Sequence, residues 1–131
     1  MPITKSSPTE IRILIADDAA SSRDLLRSIL EARYLIVEAE DGEQVLEKAG
    51  PFNPHLLILD LQMPKLDGYA TAMALRAMQG FEQTPIIALT AALTQAAPTQ
   101  IAESGFSAYL VKPVRPTRLR ECVASLLSQT A

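Results

Sequence analysis

Five side chains that can do chemistry stand directly after short apolar runs of the sequence: Asp17, Asp18, Asp60, Thr90 and Lys112. Carboxylates that are held close together repel one another unless a cation lies among them. A hard divalent ion such as Mg²⁺ takes oxygen ligands, and it usually keeps one or two carboxylates together with waters and phosphate oxygens. These residue types therefore favour phosphoryl chemistry at a magnesium site, provided that the fold brings them together.

The three carboxylates suit different tasks. A carboxylate can attack phosphorus and form an aspartyl phosphate. Asp60 is the better candidate nucleophile because it stands alone at the end of a predicted central strand. Asp17 and Asp18 are adjacent and suit holding the ion from one side. We expect Asp18 to contact the metal directly and Asp17 to act partly through water, with the backbone carbonyl of Gln62 as a third protein ligand.

Lys112 and Thr90 carry the remaining groups that such a site needs. The ammonium group of Lys112 would act as a point charge against the phosphoryl group. The hydroxyl group of Thr90 would donate a hydrogen bond to another phosphoryl oxygen.

The elements that must position these residues alternate along the chain. Apolar runs predict five strands, at Ile11–Ala16, Tyr34–Ala39, Leu56–Leu59, Pro85–Leu89 and Ser107–Val111. Helical periodicity fills the segments between and after them. Nearly continuous apolar strands are typical of a parallel sheet that is buried on both faces. The prediction is an α/β fold with a doubly wound five-stranded parallel sheet, in which ligands bind at the carboxyl ends of the strands.

Cap and breaker residues predict where the helices begin and end. Ser21 or Ser22 is the candidate N-cap of the first helix. Gly50-Pro51 is expected to end the second helix, and Gly80 the third. Pro98 lies inside the fourth helical segment, so we expect that helix to be short or displaced.

The apolar face of the third helix is predicted to consist of Ala70, Met73, Ala74 and Ala77.

Length and composition indicate one domain. The chain has 131 residues and a formal net charge of −3. No apolar run is long enough for a membrane helix, and no basic cluster indicates nucleic acid as the partner. The single cysteine, Cys122, favours a reducing compartment, so we expect a cytoplasmic protein. We predict a flexible lead-in or linker over residues 1–10, the domain over 11–128 and a tail over 129–131.

The motifs resemble the receiver domain of two-component response regulators. They are Ala16-Asp17-Asp18, Leu59-Asp60-Leu-Gln-Met63-Pro64 followed by Asp67-Gly68, Thr90-Ala91, and Lys112-Pro113. Together they cover Ile11 to about Leu127. Two phrases, LILDLQMP and PIIALTA, are similar to receivers of hybrid sensor histidine kinases. The chain therefore resembles either such an excised receiver or a stand-alone regulator.

The resemblance implies a three-layer, flavodoxin-like (βα)5 receiver fold with strand order 2-1-3-4-5. It also implies that Asp60 accepts phosphate from a histidine kinase or a histidine phosphotransfer protein. Mg²⁺ would be held by Asp18, Asp60 and the Gln62 carbonyl, with Asp17 beside them. The domain would promote its own phosphorylation and dephosphorylation and turn over no separate substrate.

The same resemblance implies a switch. Thr90 and Tyr109 match the family's switch pair, in which the hydroxyl moves toward the phosphate and the aromatic ring turns inward. The fourth helix, fifth strand and fifth helix would then change shape for a downstream protein partner. Lys112 would pair with the phosphoryl group, and a cis bond is expected between Lys112 and Pro113.

Three other functions are compatible with parts of the pattern. A receiver-like binding module that is never phosphorylated would keep the same residues. A flavin- or nucleotide-binding protein of the same layered fold would need a Gly/Ser/Thr-rich phosphate loop where Asp17-Asp18 stands. An aspartyl phosphatase would need a second acid at position 62, where the chain has Gln62.

Overall fold

The computed structural model describes residues 10–91 and 98–129, and within them five strands alternate with five helices. The strands are β1 (Arg12–Ala16), β2 (Leu35–Ala39), β3 (Leu56–Asp60), β4 (Ile86–Thr90) and β5 (Ala108–Val111). The helices are α1 (Ala20–Leu30), α2 (Gly42–Phe52), α3 (Gly68–Ala77), α4 (Pro98–Glu103) and α5 (Pro116–Gln129). Apart from Glu10, the predicted lead-in lies outside the described residues, as do residues 130 and 131 of the predicted tail.

The strands form one parallel sheet in the order β2-β1-β3-β4-β5, which confirms the predicted fold class and strand order. β1 and β3 are neighbours although β2 lies between them in sequence, so the winding reverses at β1. Ala16 pairs with Leu59, and Thr90 pairs with Val111. This register aligns the carboxyl ends of the central strands along one edge.

The core lies in two layers, one on each face of the sheet. On β3, Leu57 and Leu59 face one layer, whereas Leu56 and Ile58 face the other, as the two-residue period of a strand requires. Residues of α2, α3 and α4 cover the first layer, and residues of α1 and α5 cover the second. All residues of β3 and β4 are buried, which accounts for their almost continuous apolar sequences.

Three of the predicted helix boundaries are wrong. α1 begins before both serines, with Ala19 as an N-cap that offers no side-chain bond. α2 continues through Gly50-Pro51 and ends at Phe52, followed by the C-cap residue Asn53, whose φ of 52° is left-handed. α3 ends at Ala77, ahead of Gly80. The helix continues past Pro51, and its last turn is closed by the Asn53 N–H, which donates to the Ala49 carbonyl at 2.8 Å.

The buried face of α3 also differs from the prediction. Its buried residues are Gly68, Thr71, Ala72 and Leu75, whereas Met73 is 59% exposed. The small residues of this helix carry little periodic signal, and the close packing of α2 on α3 selects the face instead. α4 is described only from Pro98 onward, and residues 92–97 lie outside the described residues, so the expectation of a short or displaced helix stays a prediction.

Arg76 joins three separate segments on one side of the sheet. Its guanidinium group donates to the carbonyl oxygens of Phe81 and Thr84, at 2.8 and 2.6 Å, and to that of Gly105 at 2.9 and 2.7 Å. The end of α3, the loop into β4 and the turn after α4 are therefore held by one side chain. Burial lowers the pKa of Arg76.

Arg76→Ala should destabilise the protein by about 3 kcal/mol, because three carbonyl oxygens lose a charged donor. Urea unfolding measures the change, and Arg33→Ala, which removes an exposed arginine, is the control. Equal unfolding free energies for the Arg76→Ala and Arg33→Ala variants would contradict this role.

His55 predicts a pH dependence of stability. Its Nδ1 accepts a hydrogen bond from the Arg12 backbone N–H at 2.9 Å, which requires an unprotonated nitrogen. Burial, followed by the charge of Arg12, lowers the pKa of His55 below 6.5. The unfolded chain therefore binds this proton at higher pH than the folded one. The contribution to stability is present above pH 6.5 and is lost as the pH falls from 6.5 to the folded pKa.

His55→Asn keeps an acceptor but does not titrate. Urea unfolding at about pH 7.5 and about pH 5.5 should show a smaller loss of stability for His55→Asn than for the unsubstituted protein. An identical loss of stability in both proteins would show that protonation of His55 does not cause the change in stability between these two pH values.

Candidate active site

One ammonium group joins two of the predicted carboxylates at the carboxyl edge of the sheet. Lys112 Nζ donates to Asp17 Oδ2 and to Asp60 Oδ2, at 2.8 Å in both cases. The Asp17 side chain is fully buried, that of Asp60 is 10% exposed and that of Lys112 is 29% exposed. Three strands, β1, β3 and β5, therefore meet through this one cation.

The second oxygen of each bridged carboxylate is held by the backbone. Asp17 Oδ1 accepts from the Ala19 N–H, and Asp60 Oδ1 accepts from the Gln62 N–H, each at 2.9 Å. Both carboxylates are thus bonded at both oxygens, which fixes their orientation. The contact of the Gln62 N–H with Asp60 was not predicted from the sequence, which pointed to the carbonyl and the side chain of Gln62 instead.

Asp18 completes a cluster of three acids. One carboxylate oxygen from each of Asp17, Asp18 and Asp60 lies within 4.8 Å of the others. Asp18 is exposed, and within the part of the chain that the structure describes its carboxylate has no hydrogen bond or ion pair. Three carboxylates and the ammonium of Lys112 carry a formal charge of −2 when ionised. The three carboxylates form an all-oxygen donor set, and a site with this net charge of −2 fits a hard divalent cation.

Burial and charge shift the ionisation of the site. Burial raises the pKa of Asp60, and the hydrogen bonds from Lys112 and the Gln62 N–H offset this only in part. Burial alone would lower the pKa of Lys112, but the hydrogen bonds to Asp17 and Asp60 outweigh it and raise the pKa of Lys112. Lys112 therefore stays protonated, and its charge balances part of the acidic cluster.

A close backbone approach shapes the loop after β3. A Cβ on Gly68 would lie 2.5 Å from the Asp60 carbonyl oxygen, so only glycine fits there. The Gly68 N–H donates to the Leu61 carbonyl at 3.0 Å, and Asp67 caps α3 through the Ala70 N–H at 2.9 Å. The Asp67-Gly68 pair of the motif therefore folds the loop back over Asp60.

Thr90 and Tyr109 lie on neighbouring strands but in different surroundings. Thr90 ends β4 and is 3% exposed, and its carbonyl accepts from the Lys112 N–H at 2.8 Å. Tyr109 pairs with Ala88 on β4 and is 37% exposed. It lines a depression of about 240 Å³ beside Arg118 and another of about 340 Å³ beside Phe106. The bond between Lys112 and Pro113 is cis.

Arg23 contacts the site although no motif indicated it. Its guanidinium group donates to the backbone carbonyl of Asp17 at 2.7 Å from within α1. An arginine on an amphipathic helix carries no sequence signal for such a contact, which depends on how α1 packs beside β2.

A sequence profile described as the response regulator receiver domain matches residues 13–124. The chain belongs to the receiver domain family of two-component systems. Receiver domains are signalling domains rather than classical enzymes. The predicted resemblance to this family is thus confirmed.

Relatives include regulators and hybrid kinases. The chain is 39% identical over 123 residues to the transcriptional regulatory protein ResD of Bacillus subtilis (strain 168), covering 93% of this chain and 50% of ResD. It is 34% identical over 113 residues to the sensor histidine kinase CheAY of Helicobacter pylori (strain ATCC 700392 / 26695), covering 84% of this chain and 14% of CheAY. The chain thus spans half or less of the length of these curated relatives.

Among solved structures, the receiver domain of sensor histidine kinase PA1611 from Pseudomonas aeruginosa PAO1 superposes with a TM-score of 0.85 at 26% identity. The match covers 91% of this chain and 98% of that one, and that structure has a magnesium ion coordinated in its active site cleft. In the described part of the present chain, no helix is long and apolar enough to cross a membrane.

Lys112→Gln tests the ammonium bridge. Removing it leaves two buried carboxylates without their shared cation and should destabilise the protein by about 2 kcal/mol in metal-free buffer. Lys65→Gln is the matched control, because the Lys65 ammonium lies 3.6 Å from Asp41 with a side chain that is 60% exposed. Urea unfolding should show a loss of less than about 1 kcal/mol for the control. Similar losses for both variants would contradict the bridge.

Proposed function

We propose that this receiver domain accepts a phosphoryl group on Asp60, in a Mg²⁺-dependent reaction, from a histidine kinase or a histidine phosphotransfer protein. The observation that carries the proposal is the contact of Lys112 with the Asp60 carboxylate at 2.8 Å, beside two further acids. This arrangement supports the proposal because a carboxylate, an ammonium group and two further acids lie together at one strand edge.

The reaction follows from these positions. A carboxylate oxygen of Asp60 attacks the phosphorus of a phosphohistidine, and the P–O bond forms as the P–N bond breaks. The electron pair of the broken bond stays on the imidazole nitrogen, which takes a proton from solvent, so that the neutral ring leaves. Lys112 then pairs with the phosphoryl oxygens, and the Thr90 hydroxyl donates to one of them. Burial favours the transfer because it strengthens the interaction of Lys112 with the developing charge.

Asp18, Asp60 and the Gln62 carbonyl would hold Mg²⁺, which supplies charge neutralisation at the phosphoryl oxygens. The division between the two adjacent acids is supported by their contacts. Asp17 and Asp60 are each bonded at both oxygens, but the Asp17 side chain is fully buried whereas that of Asp60 is 10% exposed. Asp18 is exposed, and its carboxylate accepts nothing from the described residues. Asp18 therefore ligates directly, and Asp17 acts through water and orients Lys112.

Phosphorylation changes the conformation of the face formed by α4, β5 and α5. Thr90 moves toward the phosphoryl group, and the ring of Tyr109, now at the surface, turns inward behind it. A downstream protein partner senses the change, and we place the reaction in the cytoplasm. The acidic cluster disfavours nucleic acid as a direct ligand of the site.

Acetyl phosphate with Mg²⁺ should add one phosphoryl group to the protein, and intact-mass spectrometry measures it. Asp60→Asn should abolish the adduct because the nucleophile is lost. Asp24→Asn, which changes an exposed carboxylate on α1, should leave it unchanged. An unmodified protein that also shows no spectral change with beryllofluoride would instead support a binding module that is not phosphorylated.

The substitution Asp18→Asn should make the protein more stable than the unsubstituted protein without Mg²⁺, and less stable than it when Mg²⁺ is present. In metal-free buffer the substitution relieves repulsion within the cluster and should stabilise the protein by about 0.5 kcal/mol. At a Mg²⁺ concentration about 100 times the Kd, the free energy of unfolding of the unsubstituted protein rises by about 2.7 kcal/mol. The unsubstituted protein should then be more stable than the variant. Urea unfolding measures both conditions, and the same Mg²⁺ gain in both proteins would show that Asp18 is not a ligand.

A further inference from the structure

Arg23 bridges the acidic cluster to the neighbouring edge strand. Its Nη1 donates to the Asp17 backbone carbonyl at 2.7 Å, and its Nε donates to Glu38 Oε1 at 3.0 Å. The Arg23 side chain is only 12% exposed. The guanidinium group therefore lies between β2, which carries Glu38, and the peptide that links Asp17 to Asp18.

The position of Arg23 is itself well fixed. Glu38 Oε2 accepts from Arg27 Nε at 2.6 Å, and the Glu38 backbone carbonyl accepts from Lys48 Nζ at 2.6 Å. The hydrogen bond from Arg27 is the main cause that lowers the pKa of Glu38, and Arg23 adds to it against the effect of burial. Glu38 stays ionised and anchors Arg23 through one of its two oxygens.

The carbonyl that Arg23 holds belongs to the Asp17–Asp18 peptide. Because the peptide is planar, holding its carbonyl oxygen restricts rotation of the plane about the axis between the two Cα atoms, and with it the direction in which the chain leaves toward the Asp18 side chain. The Asp18 carboxylate has no bond of its own to the described residues, so its place beside Asp60 depends on the backbone. Within the described chain, Arg23 is the side chain that bonds this carbonyl.

We propose that Arg23 is a positioning residue for the acidic cluster: by holding the Asp17 carbonyl from Glu38, it places the Asp18 carboxylate beside Asp60 and sets the affinity for the divalent cation. This inference rests on the proposed function, since it assumes that the cluster binds Mg²⁺. Its effect opposes simple electrostatics, because a positive charge near the cluster would weaken cation binding.

Arg27 is the matched control. It bonds the same Glu38 carboxylate, and its remaining contacts are to the Ile36 carbonyl at 3.4 Å and to Glu31 at 3.9 Å, away from the Asp17 carbonyl. Arg27→Met and Arg23→Met therefore each remove one charge and one bond to Glu38. Only Arg23→Met also releases the peptide between the two acids.

The experiment is a Mg²⁺ titration of the full chain, followed by the Asp18 amide signal in ¹⁵N NMR, with urea unfolding of each variant alongside. Arg23→Met and Arg23→Lys should both weaken Mg²⁺ binding about tenfold, whereas Arg27→Met should change it less than about twofold. Lysine keeps the charge but cannot span both acceptors as a guanidinium does. The unfolding curves establish that each variant is folded under the conditions of the titration, so that a weaker Mg²⁺ affinity does not reflect loss of folded protein.

The contrary results are distinct. Tighter Mg²⁺ binding by Arg23→Met, with Arg23→Lys unchanged, would show that the charge of Arg23 acts and its positioning does not. Equal affinities for all variants and the unsubstituted protein would overturn the positioning role and leave the proposed function intact. An unsubstituted protein that binds no Mg²⁺ would overturn both.

Discussion

The architecture of the site depends on the ammonium group of Lys112, which lies between the carboxylates of Asp17 and Asp60. Without a cation there, two acids at the ends of adjacent buried strands would repel each other where water is largely excluded. The positive charge that offsets this repulsion in the unmodified site is the same charge that would pair with a phosphoryl group on Asp60. The stability of the resting state and the proposed phosphorylation of Asp60 thus depend on the same interaction.

The parallel sheet is what makes this contact possible. β1, β3 and β5 all end at one edge, and the reversal of winding at β1 leaves that edge open between the two helical layers. The buried strands fix the backbone positions of the acids, and backbone N–H groups from the loops fix the orientation of their carboxylates. The loops also bring in Gly68, whose lack of a Cβ lets the chain pass against the Asp60 carbonyl.

The sequence predicted the strands and the strand-end residues well because burial on both faces leaves a continuous apolar signal. Helix details were harder to predict. The serines near the start of α1 were misleading, since Asp17 binds the Ala19 N–H and α1 begins without a side-chain cap. Arg23 was missed because its contact is set by tertiary packing and carries no local pattern. The roles assigned to Thr90 and Tyr109 stay predictions that follow from the family.

The identity of the phosphoacceptor is the central claim, and chemical trapping tests it most directly. The protein is phosphorylated with acetyl phosphate and Mg²⁺, the acyl phosphate is reduced with borohydride, and the peptides are mapped by mass spectrometry. The account predicts homoserine at position 60 and unmodified aspartates at positions 17 and 18. Homoserine at either of those two positions, with position 60 unmodified, would contradict it.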